Sequence, residues 1–259
     1  MSKTRQENTA PSSLCETCGT ALKPVFIPFL KRHLTPACPC VIAAYDRQQA
    51  ALQAGQKQAH IEQTLNRSGL GERFKNCTFD DWKPRKGTET AYDIAFKYAH
   101  NLKANLQAGR GYIMFGAAGS GKSHLAAAIV NNAISKGYTA ALERVPKLLA
   151  KIRSTYDRGP VTESQIMKTL TSTDLLVLDD AGAEQWTRWT EPTLFTIIDE
   201  RYSWQKALII TTNADLDGLE QKMGSRTMDR LLQMCLVVEN RGSSYRLQEA
   251  HKRCQEENS

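Results

Sequence analysis

Gly116-Ala117-Ala118-Gly119-Ser120-Gly121-Lys122-Ser123 is the stretch on which the reading of this chain turns. It satisfies G-x-x-x-x-G-K-[ST], a pattern whose backbone N–H groups curl around phosphate. Its surroundings are those the pattern needs. Tyr112-Ile113-Met114-Phe115 precede it, four bulky apolar residues that predict a buried strand. Behind it, Ser123 to Ser135 carry Leu125, Ala126, Ile129, Val130 and Ile134 at helical spacing. Strand, glycine-rich turn and helix together make an anion site, because the helix N-terminus adds partial positive charge where the N–H groups converge. The run Gly116 to Ser123, with His124 beside it, is therefore read as cofactor-binding. Lys122 is expected to reach the β- and γ-phosphates, and the Ser123 hydroxyl to ligate Mg²⁺.

A second feature fits the first. Leu175-Leu176-Val177-Leu178-Asp179-Asp180 is an apolar run ending in two carboxylates. It predicts a central parallel strand delivering acids to its C-terminal edge, where ligands bind in open α/β sheets. Asp179 is expected to hold Mg²⁺, directly or through water, and Asp180 to orient and deprotonate an attacking water. Ala207 to Asn213 reads as another buried strand with a polar end. Asn213 is expected beside the Asp179 strand, within reach of that water or the γ-phosphate. It could instead cap the next helix, but Asp215 can fill that role.

Between these features the chain alternates strand and helix. Residues 88–108 predict an amphipathic helix, 138–142 a strand, 145–156 and 163–170 helices, 191–204 a long helix, and 236–239 a last short strand. That alternation predicts an α/β fold with a parallel sheet in a three-layer αβα sandwich. Lys147, Lys151, Arg153 and Arg158 lie on or just past one helix, where a basic face is ordinarily solvated. Trp186, Trp189 and Trp204 are read as packing rather than base stacking. Arg226 and Arg230 stand four apart on one helix face, and Arg246 follows. Alone, such arginines would be surface ion pairs. Near a triphosphate they would stabilise transition-state charge. The tail from Glu249 is charged and expected to be disordered.

The N-terminal part has a different character. Cys15 and Cys18 are separated by two residues, and Cys38 and Cys40 by one. Two thiolate pairs at this spacing can hold one Zn²⁺, and a site closed by four protein ligands stabilises a fold rather than catalysing. His33 is an alternative to one sulfur. Residues 14–40 are too few to bury a real core, so a metal would stand in for one. Residues 41–66 read as a helix weakened at Gly55, either a linker or a partner-docking helix. The expected division is 1–66 for a zinc-binding region, 67–248 for the main domain and 249–259 for the tail.

Composition narrows the class. Of 259 residues, 41% are hydrophobic and 24% charged, ordinary for a globular chain. No apolar run approaches the ~20 residues that span a bilayer. The polar start lacks a signal-peptide core, so a cytoplasmic location without membrane association is expected. The net charge of +7 and pI near 9.0 are compatible with a polyanionic partner.

The order of these features resembles an AAA+ ATPase, and more specifically the bacterial replicative-helicase loaders of the DnaC/DnaI type and the related IstB transposition ATPases. The resemblance covers roughly residues 69–248. It is carried by Arg73-Phe-Lys-Asn-Cys-Thr-Phe79, by Leu176-Val-Leu-Asp-Asp-Ala-Gly-Ala-Glu184, by Ile197-Ile-Asp-Glu-Arg-Tyr202, by Ile209-Ile-Thr-Thr-Asn213 and by Gly224-Ser-Arg-Thr-Met-Asp-Arg-Leu231. It implies ATP and Mg²⁺ as ligands, with Asn213 as sensor 1 and Arg246 as the sensor 2 arginine. Arg230 would be an arginine finger reaching a neighbouring subunit's nucleotide, which implies self-association through the ATP site. Phe74 and Phe79 would help pocket the adenine. The 145–158 helix would face single-stranded DNA, and the N-terminal region would grip a hexameric replicative helicase. Asp180 departs from the pattern, since most AAA+ ATPases have Glu there. The shorter side chain implies slow hydrolysis. Two alternatives are a transposition helper ATPase acting on duplex DNA and a zinc-dependent adaptor that only senses nucleotide.

Overall fold

The computed structural model describes residues 13–50, 52–53, 70–155, 162–183, 187 and 189–257. The chain divides into two compact units, 1–59 and 60–259, which are taken separately.

In the first unit, β1 (Ser13–Leu14) and β2 (Ala21–Leu22) form one antiparallel hairpin, and β3 (Val25–Ile27) and β4 (Arg32–Leu34) a second. The turn holding Cys15 and Cys18 closes on itself: Gly19 N–H donates to the Cys15 carbonyl at 2.8 Å, with Gly19 at φ 71°. Residues 39–50 form the helix α1. Pro39 opens it, where a missing N–H costs nothing, and the amides of Val41 and Ile42 both donate to the Cys38 carbonyl. Residues 52–53 are helical as well, and 54–66 of the expected 41–66 helix, including Gly55, lie outside the described residues.

Among its described residues, the second unit opens with α2 (Glu72–Lys75), α3 (Glu89–His100) and α4 (Leu102–Gln107). The helix expected over 88–108 is thus two helices, meeting at Asn101 with φ −94° and ψ 26°. Then follow β5 (Gly111–Gly116), α5 (Lys122–Ser135), β6 (Ala140–Arg144), α6 (Val145–Ser154), α7 (Glu163–Ser172), β7 (Leu175–Ala181), α8 (Thr190–Ser203), β8 (Ala207–Thr212), α9 (Leu216–Met223), α10 (Ser225–Met234), β9 (Cys235–Asn240) and α11 (Tyr245–Glu257). The five strands pair in parallel in the order β6-β7-β8-β5-β9.

Period-2 alternation makes the three layers. Tyr112 and Met114, Leu175 and Val177, and Ile209 face one apolar cluster together with α3 and α5. Ile113, Leu176 and Leu178, and Leu208 and Ile210 face the opposite cluster with α6 to α10. Because both faces are covered, these strands read as unbroken apolar runs. At the sheet's C-terminal edge, β8 lies between the strand leading into the glycine-rich run and the strand carrying Asp179.

The tail is a correction. It was expected to be disordered from Glu249, but α11 runs through it to Glu257. Arg246, Leu247, Gln248, Glu249, Ala250 and Lys252 are good helix formers, Glu249 and Lys252 pair at 3.5 Å, and the Tyr245 amide anchors the helix start to the Gly119 carbonyl at 2.9 Å.

One buried cation holds the second cluster to the sheet. Arg201 on α8 is fully buried and donates to the carbonyls of Leu170 and Ala207, both at 2.6 Å. Leu170 lies in the last turn of α7, whose carbonyls lack helical partners. Desolvation pushes the guanidinium down to about 10, so it stays charged at neutral pH. Arg201→Ala would strand two buried carbonyls and leave a cavity. It is expected to destabilise the second unit by about 3–5 kcal/mol in urea unfolding, whereas an exposed change such as Lys147→Ala should stay within about 0.5 kcal/mol.

Candidate functional site

The glycine-rich run leaves β5 and enters α5 as the spacing predicts. Two glycines are held in place by close approach. Gly119 sits at φ 80°, and a Cβ there would lie 2.2 Å from the Ser244 hydroxyl. Gly121 sits at φ 104°, and a Cβ there would lie 2.5 Å from the Trp82 ring. An L-residue at either position would meet both backbone strain and a clash.

Lys122 is 4% exposed, and its ammonium donates to the carbonyls of Gly116 at 2.8 Å and Ala117 at 2.9 Å and to Asn213 Oδ1 at 2.8 Å. Burial lowers its pKa, while Asp180 and Asp179 act the other way. Asn213 thus stands beside the Asp179 strand, with its Nδ2 3.5 Å from Asp180 Oδ1. Asp215 caps α9 by accepting from the Gly218 amide, so Asn213 is not needed there.

Asp179 is wholly buried. Its Oδ1 accepts from the Ser123 and Thr211 hydroxyls, both at 2.6 Å. Its Oδ2 is buried without a hydrogen bond, 3.5 Å from Arg144 Nε. A buried carboxylate oxygen of this kind, next to a hydroxyl, is a donor set of the hard-oxygen type that Mg²⁺ takes. Asp180 lies in a β-bulge, where the pairing of β7 with β8 slips between Leu178 and Ala181. Its φ is +56°, uncommon for a residue with a Cβ. The bulge re-aims the side chain, and Asp180 lines the cavity.

That cavity has a volume of about 500 Å³. It brings together Phe74, Lys122, Ser123, His124, Asp180, Asn213 and Arg246, as expected from the sequence. Phe79 does not line it. That ring packs edge-on against Phe96 at 5.4 Å and Tyr92 at 6.0 Å in the apolar cluster. Trp82, Arg85, Arg144 and Tyr245 line the cavity without having been singled out. Arg144 had a signal: it ends β6, directly opposite Asp179. Trp82, Arg85 and Tyr245 had none, because contacts across a long stretch of chain bring them to the loop.

Arg230 lies apart from the cavity, on α10, where its Nε donates to Asp199 at 2.8 Å and its guanidinium covers Tyr202 at 5.3 Å. On α6, Lys151 reaches Glu143 at 3.6 Å, Arg153 covers the Trp189 ring at 5.0 Å and Lys147 is exposed. Arg158 and Trp186 lie outside the described residues. Trp204, read as packing, is instead 72% exposed, because it caps the end of α8 beyond the core-facing residues.

In the first unit, the four cysteine sulfurs lie together, with Cys15–Cys40 at 3.6 Å, Cys18–Cys38 at 3.5 Å and Cys38–Cys40 at 3.4 Å. A disulfide would need about 2.05 Å. Four sulfurs about 2.3 Å from one Zn²⁺ would sit roughly 3.8 Å apart, so the cluster fits a tetrahedral ion. His33 is not part of it and packs on Phe26 at 5.1 Å.

Comparison with known proteins agrees with this geometry. Residues 97–253 match the family described as IstB-like ATP binding protein. The replicative helicase loader DnaC of Escherichia coli K12 is 28% identical over 183 residues, covering 70% of this chain and 74% of that protein. DnaC of Buchnera aphidicola subsp. Baizongia pistaciae is 31% identical over 177 residues, covering 68% and 71%. Among solved structures, the DnaC helicase loader superposes with a TM-score of 0.60 at 26% identity, over 66% of this chain and all of that one. AMPPCP-bound DnaA from Aquifex aeolicus shares the fold, with a TM-score of 0.57 at 22% identity over 73% of this chain and 57% of that one. The motif, the sheet order and these matches agree: the chain belongs to the IstB-like ATP-binding protein family, with the DnaC helicase loaders among its relatives.

Proposed function

We propose that this protein binds and slowly hydrolyses ATP, and uses that cycle to load a hexameric replicative helicase onto single-stranded DNA in the cytoplasm. The observation that carries the reading is the convergence of Lys122, Ser123, Asp180, Asn213 and Arg246 on one cavity, with Asp179 hydrogen-bonded to Ser123 beneath it.

In this reading Lys122 exchanges its carbonyl partners for β- and γ-phosphate oxygens. Asp180 orients a water and takes its proton as the oxygen attacks the γ-phosphorus. The bond to the β-phosphate oxygen breaks, and ADP and phosphate leave. Asn213 holds the water or the γ-phosphate, and Arg246 compensates the charge spreading over the phosphoryl oxygens. Mg²⁺ held by Ser123 and Asp179 would supply further charge compensation there. Arg230, outside its own cavity, would exchange its pairing with Asp199 for the nucleotide of a second copy of this chain. The shorter reach of Asp180, on a strained backbone, suits a slow timer better than a fast engine.

Residues 1–66 form the partner-docking region and 67–248 the ATPase core. Cys15, Cys18, Cys38 and Cys40 would hold a structural Zn²⁺, tying the β1–β2 turn to the start of α1. Phe29, 93% exposed, and Phe26, Leu14 and Tyr45, each at least half exposed, give that unit an apolar surface for the helicase. The basic residues of α6 contact single-stranded DNA.

Asp180→Asn keeps the shape of the site but removes the proton acceptor. It is expected to lower kcat by about 10²–10⁴-fold while ATP binding persists, read by phosphate release and by nucleotide titration. An unchanged kcat would remove Asp180 from the chemistry. The loading role is tested by co-purification with the replicative helicase, with and without ATP. The expected result is a complex that depends on one zinc per chain and is lost in Cys18→Ser. Absence of a complex in both nucleotide states would defeat the loading role and leave ATP binding untouched. Capture of a transposase in its place would move the protein to the transposition branch.

A further inference from the structure

We propose that Arg85 is a positioning residue that couples the phosphate-binding run to the start of α11 and thereby holds Arg246 at the cavity. The proposal rests on the reading of that cavity as an ATP site.

Arg85 is fixed at both ends. Its backbone N–H donates to the Thr88 hydroxyl at 3.2 Å, and that hydroxyl donates back to the Arg85 carbonyl at 2.7 Å. Thr88 is 1% exposed, so this turn is firmly seated. At the other end, Nη2 donates to the Ser120 carbonyl at 2.8 Å and Nη1 to the Ser243 carbonyl at 2.7 Å. One rigid fork therefore spans a residue of the phosphate-binding run and a residue three positions before Arg246. The guanidinium also lies over two rings, Trp82 at 5.5 Å and Tyr245 at 5.2 Å. A planar cation that bridges two carbonyls and stacks on two rings is a role only arginine fills.

The junction it spans is tight without it. The Tyr245 amide donates to the Gly119 carbonyl at 2.9 Å, and Gly119 leaves no room for a Cβ against Ser244. Gly119 and Ser120 are the residues that any phosphate ligand would order. Their carbonyls are the ones that Tyr245 and Arg85 grip. Ordering the run thus orders residues 243–245, and Arg246, which lines the cavity, follows directly. By reciprocity, a well-placed Arg246 strengthens the grip on the ligand.

A double-mutant cycle on ATP affinity tests this. Arg85→Ala and Arg246→Ala are each expected to weaken ATP binding by about tenfold, and the double variant by no more than either single one. Arg85→Lys should behave as Arg85→Ala, because an ammonium cannot bridge both carbonyls. Thermal unfolding identifies any variant that fails to fold, and Arg85→Gln or Arg246→Gln then replaces the alanine change at that position in the cycle. A double variant weakened by the product of the two single effects would overturn the proposal. So would full rescue by lysine, which would make Arg85 a plain charge. If the wild-type protein ignores ATP, the ATP reading itself falls, and this proposal with it. If wild type binds and the cycle is additive, only the coupling is lost.

Discussion

The hydrogen bond between the Ser123 hydroxyl and Asp179, 2.6 Å long and closed over 56 residues of chain, is the contact on which the site depends. It requires that the strand before the glycine-rich run and the strand carrying Asp179 end at the same level on the same sheet edge. They are not neighbours. β8 lies between them, and its Thr211 hydroxyl donates to the same carboxylate oxygen at 2.6 Å while accepting from the Asp180 amide at 3.1 Å. Thr211 therefore holds both acids, one facing Ser123 and one lining the cavity. A buried carboxylate is costly unless its oxygens are satisfied. Here one oxygen is satisfied by two hydroxyls, and the other lies 3.5 Å from Arg144 Nε without a hydrogen bond.

Most of this frame was legible in the sequence, because it rests on local patterns. Apolar runs of the strand type, the glycine-rich run between strand and helix, and acids at a strand end each have their own signal, and the fold follows from repeating them. The cysteine spacing likewise announced a four-sulfur cluster. The full order of the strands was not read from the sequence; it is the pairing of β8 with β7 that puts Asn213 next to the Asp179 strand.

What was not legible lies in contacts between distant segments. Phe79 and Phe74 have the same residue type five positions apart. Only packing of Phe79 against Tyr92 and Phe96 decides that one ring leaves the cavity and the other lines it. The tail was read as disordered because it is charged, but charge does not oppose a helix whose residues are good helix formers and whose first amide is anchored at Gly119. Arg85 and Tyr245 carry no motif at all. Their part in the site comes from one side chain reaching across 158 positions to Ser243.

Every role assigned to the cavity requires a bound triphosphate held by Lys122. Isothermal titration of the purified protein with ATP and Mg²⁺, beside Lys122→Ala, measures this directly. Saturable binding at one site per chain in the wild type, lost in Lys122→Ala while that variant still unfolds cooperatively, is the expected result. Equal binding by the two proteins, or none by either, would contradict it.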